Sequence, residues 1–390
     1  MRPATATARL LVRCVTEHDW AVAPDGVAEL ADRSGPGRVA AAAEFHGVDG
    51  CVHHSLAPVV DPTRFAALGG AHRRSIDRHV RALGDLAAAA PALDDLGVPW
   101  LVVKGPVLAE AFYPRPDLRS YSDLDVVVPA SALGDVLAAV EGTGGRVLDR
   151  NWRLLRELEV GQILLRMRHG TLLDLHWQLF NTAAVRRSMR GSMAELFERA
   201  RLVRVGANEV RTLDAVDTLL HLSIHGTLSG GHRLLWLKDV ERAVASDGPA
   251  WDEVVRRARA WGAGPAVALA LSRAARVVGA AVPPGVPEAL AGGRSYLAVA
   301  AAADRLAPPE RSRGKRSLSL MVSRSARADT ASTAAELARR MAAAVTDKRR
   351  LSLEPPKTDM DPANPASPRY EQSSDADRRA FLEAITARGG

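Results

Sequence analysis

The 390-residue chain is 47% hydrophobic and 25% charged, which excludes a disordered polypeptide and allows two or three units with buried cores. Its two cysteines, Cys14 and Cys51, exclude a disulfide framework, and no Cys-x-x-Cys pair offers structural zinc. A net charge of +7 and a pI of about 9.9 suit phosphorylated or nucleic-acid partners, although part of the excess lies in Arg311-Ser-Arg-Gly-Lys-Arg316 with Arg324 and Arg327, which reads as a solvated basic linker.

The leading apolar run, Leu10-Leu-Val12, stops at Arg13 and is too short for a secretory signal. No uninterrupted apolar stretch reaches bilayer-spanning length. The expectation is a cytoplasmic protein with no membrane partner. Residues 1–96 read as a helical lead-in, with apolar residues at three- and four-residue spacing, as in Val80 to Ala90. Gly35-Pro-Gly-Arg38 and Pro58 to Pro62 divide it into shorter helices.

Residues 97–205 have another texture. Trp100-Leu-Val-Val103 is a short β-branched run typical of a buried strand. A short helix follows over Val107 to Tyr113, with Pro106 suited to its first position, where the missing N–H costs nothing. Asp123-Leu-Asp-Val-Val-Val-Pro129 is a second strand, and Ser131 to Val140 a helix closed by Gly142 to Gly145. Gln162 to Arg168 and Thr171 to Trp177 flank His169-Gly170 as a hairpin with a two-residue turn. Residues 206–307 return to helices, including Val216 to His225 and Trp251 to Ala260, and residues 308–390 read as a basic, polar tail, disordered over Pro355 to Ser374.

Alternate strand residues share a face, so Asp123 and Asp125 project together while Leu124 and Val126 point to the core. Two adjacent carboxylates repel unless a cation lies between them, and hard oxygen donors suit magnesium. Asp174 stands among Leu172, Leu173 and Leu175, where a carboxylate is costly unless paired or metal-bound. If its strand lies beside that of Asp123, three carboxylates converge as two-metal phosphoryl transfer requires. An aspartate capped by backbone, or paired with an arginine such as Arg166, is the alternative.

Several motifs then carry a resemblance. Lys104-Gly105, Tyr113-Pro114, Arg119, Ser122-Asp-Leu-Asp125 and Asp174-Leu-His-Trp177 occur in this order, followed by His221-Leu-Ser-Ile-His225 and Trp236-Leu-Lys-Asp239. From about residue 30 to about 300 the chain resembles the bacterial uncharacterised nucleotidyltransferase family, a branch of the DNA polymerase β-type superfamily. The resemblance implies an α+β fold, with a mixed sheet flanked by N- and C-terminal helical regions. It implies Asp123, Asp125 and Asp174 as catalytic metal ligands for two Mg2+ or Mn2+ ions. Transfer of a nucleoside monophosphate from an NTP, with ATP expected, would release pyrophosphate. Lys104, Gly105, Arg119 and Ser122 are candidate nucleotide-binding residues, and His176, Lys238 and Asp239 candidate accessory ones.

Where the superfamily turn carries serine or glycine, this chain has Pro106. Gly105 and the first turn of the helix at Pro106 remain available to phosphate, and Lys104 or Arg119 can neutralise triphosphate charge. The acceptor is open: small molecule, peptide, protein or nucleic acid. The alternative is a non-catalytic nucleotide-binding regulatory protein of the same fold. Two further readings are a nucleic-acid adaptor working through Arg311 to Arg327, which low aromatic content opposes, and a metallohydrolase using His221 and His225, which lacks the glutamate of His-Glu-x-x-His.

Overall fold

A computed structural model describes residues 3–16, 22–311, 317–346 and 367–388. The chain forms two compact units, each assembled from separated segments. The first takes residues 1–77, 112–121 and 215–348; the second takes 78–111, 122–214 and 349–390. The division falls inside the helix Ala66–Asp94.

The first unit is helical. Pro3–Thr16, Val27–Ser34, Pro36–His46 and Asp49–Leu56 form its N-terminal part, broken as expected at Gly35 and near Pro58. Ala215–Leu228, Leu234–Asp247, Trp251–Ala260 and Gly264–Val278 follow. Leu269, Tyr296, Ala300, Ala303 and Val322 then join Gly264–Val278 to the helices Ser295–Leu306 and Leu318–Arg324 in one apolar cluster. The buried Arg273 sits beside it, bidentate on Asp304 at 2.9 and 2.7 Å. Arg327, expected in the basic linker, pairs with Glu336 at 2.7 Å, while residues 312–316 of that segment lie outside the described residues.

The second unit carries a five-stranded mixed sheet: β1 (Leu101–Val102), β2 (Asp123–Val127), β3 (Arg146–Val147), β4 (Gln162–Arg166) and β5 (Leu172–His176). The spatial order is β1-β2-β5-β4-β3, with β2 and β5 parallel and every other pair antiparallel. The α+β architecture with helical flanks matches the expectation. A second sheet was not foreseen: β6 (Arg201–Val205) and β7 (Asn208–Thr212) form an antiparallel hairpin across Gly206-Ala207, with Gly206 at φ 58°. Its outward residues are largely charged, which masks the strand signal in composition alone.

The β4–β5 hairpin differs slightly from expectation. Met167 N–H bonds Thr171 O at 2.8 Å, so the turn takes three residues, Arg168 to Gly170, with Gly170 at φ 96°. The C-terminal segment differs more. Residues 351–366 lie outside the described residues, but 367–374 are ordered: Arg369 pairs with the buried Asp149, and its carbonyl accepts from Arg150 and Asn151 N–H. The helix Asp375–Arg388 then buries Phe381 against Trp152 and Trp177, at centroid distances of 5.4 and 5.7 Å. Among the described residues, no helix is long and apolar enough to cross a membrane.

Candidate active site

β2 and β5 run parallel and in register, which sets Asp125 directly beside Asp174 and Asp123 beside Leu172. Paired strand residues share a face, and so do residues two apart, so Asp123, Asp125, Asp174 and His176 all lie on one side of the sheet. Leu124, Val126, Leu173 and Leu175 fill the opposite side and are buried. This apolar row fixes the register, since a one-residue slip would turn every carboxylate into the core.

Donor atoms of Asp125, Asp174 and His176 lie within 4.8 Å of one another. His176 Nε2 is 3.1 Å from Asp125 Oδ1, and Lys104 Nζ is 2.8 Å from the same oxygen. Lys104 reaches it because Val103 N–H bonds the Asp125 carbonyl at 3.1 Å, extending the β1–β2 pairing to the residue before it. The chain then turns at Gly105, φ 55°, directly before Pro106. A left-handed residue followed by proline is a position that glycine alone fills without strain.

Burial and charge divide the titratable groups sharply. Burial pushes Asp125 up, but the Lys104 charge and the bonds from His176 and Lys104 outweigh it and hold Asp125 well below the usual carboxylate range. Asp174 goes the other way: burial and the charges of Asp125 and Asp123 raise it well above that range, and Lys104 offsets only part of this. Burial alone would lower Lys104, but Asp125, Asp123 and Asp174 leave it raised. Asp123 is half-buried and Ser122 exposed, at the entry to β2.

A positioning residue escaped the sequence reading. Asp85, fully buried in the helix Ala66–Asp94, accepts the N–H groups of His169 and Thr171 at 2.7 and 3.1 Å. It thereby pins the turn that leads into β5 and Asp174. A lone aspartate in the apolar repeat Val80 to Ala90 was the available signal.

Other candidate residues belong to the first unit. Arg119 is buried, and its Nε and Nη2 donate to Asp239 Oδ1 and Oδ2, each at 2.8 Å. Tyr113 Oη donates to Asp239 Oδ1 at 2.8 Å. Three elements of the motif series thus meet in one buried clamp. Lys238 is buried as well, with its Nζ 2.8 Å from Glu241. His221 and His225 stack at 6.3 Å, and His225 meets Trp236 edge-on at 6.0 Å.

The six-residue helix Pro106–Ala111 offers fewer phosphate donors than expected. Pro106 has no N–H, and that of Val107 bonds back to the Lys104 carbonyl at 3.2 Å.

Among solved structures the chain is similar to the antibiotic-resistance factor ANT(2'')-Ia, at 18% identity and a TM-score of 0.30, over 42% of this chain and 83% of that one. No curated protein matches it. Residues 32–279, well over half of the sequence, match the family described as uncharacterised nucleotidyltransferase, and the chain belongs to that family.

Proposed function

We propose that this protein transfers a nucleoside monophosphate from an NTP, with ATP the expected donor, to an acceptor nucleophile, releasing pyrophosphate. The observation that supports this most strongly is the in-register pairing of Asp125 with Asp174, with Asp123 two residues along the same face. These three carboxylates share one close lysine, Lys104. The excess negative charge is of the kind that divalent cations offset. Carboxylate oxygens suit magnesium and manganese alike.

Held by Asp123, Asp125 and Asp174, such ions would polarise the reacting phosphoryl group and stabilise the departing pyrophosphate. The side chains do the rest. Lys104 sets a fixed positive charge next to the carboxylates, where phosphate oxygens would arrive. Gly105 lets the backbone approach a ligand without a side chain in the way. His176 holds the orientation of Asp125 through Oδ1. Asp174, on the same face, would also take up the proton of an acceptor hydroxyl. The acceptor class stays open among small molecules, peptides, proteins and nucleic-acid ends.

Calorimetric titration of each NTP into the wild type and Asp125→Asn, with and without magnesium, tests this reading. Magnesium-dependent binding that disappears in the variant supports it. NTP binding indifferent to both magnesium and Asp125 would sink it. A non-catalytic nucleotide-binding regulator is the second reading, favoured by Pro106 and the spent Val107 N–H. It predicts intact magnesium-NTP binding but no pyrophosphate release with any acceptor class or with water.

A further inference from the structure

A second cluster of metal-binding side chains lies in the helical unit, outside the site described above. The helix Asp49–Leu56 carries His54, the helix Ala66–Asp94 carries His72 near its start, and the short turn Pro116–Leu118 carries Asp117. Donor atoms of the three lie within 4.8 Å of one another. His54 Nε2 is 2.8 Å and His72 Nε2 is 3.5 Å from the same oxygen, Asp117 Oδ2. We propose that His54, His72 and Asp117 form a metal site of the zinc class, joining these three elements through one ion.

The spacing supports an ion at the centre. Two ligands of one tetrahedral zinc, each about 2.0–2.2 Å from it, stand roughly 3.4 Å apart. His72 Nε2 already stands near that distance from Asp117 Oδ2, and His54 Nε2, hydrogen-bonded to it at 2.8 Å, would draw back by about half an ångström. At 3.5 Å His72 Nε2 is too distant for a good hydrogen bond to Asp117. A buried imidazole held by no strong hydrogen bond at a carboxylate is poorly satisfied unless something else engages it. His53 stacks flat on His72 at 4.5 Å, and His54 meets it edge-on at 5.1 Å. Side chains of His54 and Asp117 are 19% and 20% exposed, so the cluster opens to solvent and leaves room for a fourth, non-protein ligand.

The turn is built to hold Asp117 in place. Arg115 donates Nε to Oδ1 and Nη2 to Oδ2, at 3.0 and 2.9 Å, as an outer partner of the carboxylate. Gly50 allows the helix to approach, since a side chain there would collide with the Asp117 carbonyl. Cys51 Sγ donates to the Leu118 carbonyl at 3.4 Å, and Ser120 bonds Asp49. Two imidazoles and one carboxylate favour zinc, cobalt or nickel over magnesium. The carboxylate centre on β2 and β5 offers mainly oxygen, which suits magnesium, so excess magnesium competes for it far better than for a two-imidazole site, and the two clusters can be separated by metal as well as by mutation.

The test uses the full chain, stripped with chelator, reloaded with zinc and dialysed against excess magnesium. One zinc per chain should remain in the wild type and in Asp125→Asn/Asp174→Asn. It should be lost from His54→Gln and from His72→Gln, by more than the ~10–100-fold that disturbing an outer-shell partner costs. X-ray absorption on the zinc-loaded wild type should count two imidazole ligands; the carboxylate cluster has only His176 to offer. That count does not depend on how well the variants fold. No retained zinc in the wild type, retention unchanged in both histidine variants, or a count of one imidazole or none would each overturn the assignment.

Discussion

Asp125 and Asp174 sit side by side on neighbouring strands, yet their surroundings drive them to opposite protonation behaviour. Lys104 and His176 both attend Asp125 Oδ1, whereas Asp174 is raised by burial and by its two acidic neighbours. The metal-free protein therefore carries a repulsion that one substitution relieves. Asp174→Asn should stabilise the protein in chelator by about 1 kcal/mol, read as a higher melting temperature. Asp125→Asn should lower it, because Lys104 loses its partner in a buried place. The pH dependence has opposite signs at the two positions. A carboxyl raised in the folded state binds the extra proton there, so stability falls as pH rises from the ordinary aspartate value through the raised one. The benefit of Asp174→Asn should accordingly be largest at neutral and alkaline pH and shrink in acid. The Asp125 contribution is present above the ordinary aspartate value and is lost as pH falls toward its depressed one. Thermal unfolding of both variants across pH checks this; a destabilising Asp174→Asn in chelator would contradict the charge assignment.

At the level of elements, what could be read in the sequence was local. Alternation within Asp123-Leu-Asp-Val-Val placed two carboxylates on one face, and Asp174 among leucines marked a buried acid; both follow from period-two geometry. The parallel register joining β2 to β5 spans 49 residues between Asp125 and Asp174, and nothing local encodes it. The same distance effect hid the clamp, in which Arg119 and Asp239 are 120 residues apart. Charge and motif position suggested that Arg119 serves a triphosphate, but burial and a bidentate carboxylate give it a structural partner. Removing one member of a buried pair strands the other, at about 3–5 kcal/mol. Arg119→Ala should therefore unfold the helical unit at markedly lower denaturant concentration. Tyr113→Phe, which removes one hydrogen bond, should cost about 1 kcal/mol. If Arg119→Lys left the denaturation midpoint unchanged but weakened NTP binding, the clamp reading would fail and a nucleotide role would replace it.

For the whole molecule, the order of segments matters more than their composition. Neither unit is contiguous: the sheet-bearing one takes its strands from the middle of the chain and closes with residues from the far end. Proline, serine and charge over Pro355 to Ser374 made part of that end read as disordered. Its described part carries three anchors. Phe381 is fully buried between Trp152 and Trp177. Arg369 neutralises Asp149, which also accepts the Leu164 N–H from β4 at 2.9 Å. Ser373 and the Arg369 carbonyl take up backbone groups at Arg150, Asn151 and Trp152 that begin the helix Trp152–Glu157. Because Trp177 directly follows His176 on β5, these contacts brace the strand that presents Asp174. Phe381→Ala should cost about 3–5 kcal/mol, as deletion of a buried aromatic ring does, a large fraction of the ~5–15 kcal/mol that a whole domain possesses. Ending the chain after Ala366 should cost more, since it also leaves Asp149 buried without its cation. Tryptophan fluorescence would follow both variants, with Trp152 and Trp177 shifting to the red as solvent reaches them. Truncation that left the emission spectrum and the melting temperature at wild-type values would show that the sheet-bearing unit stands without its C-terminal segment.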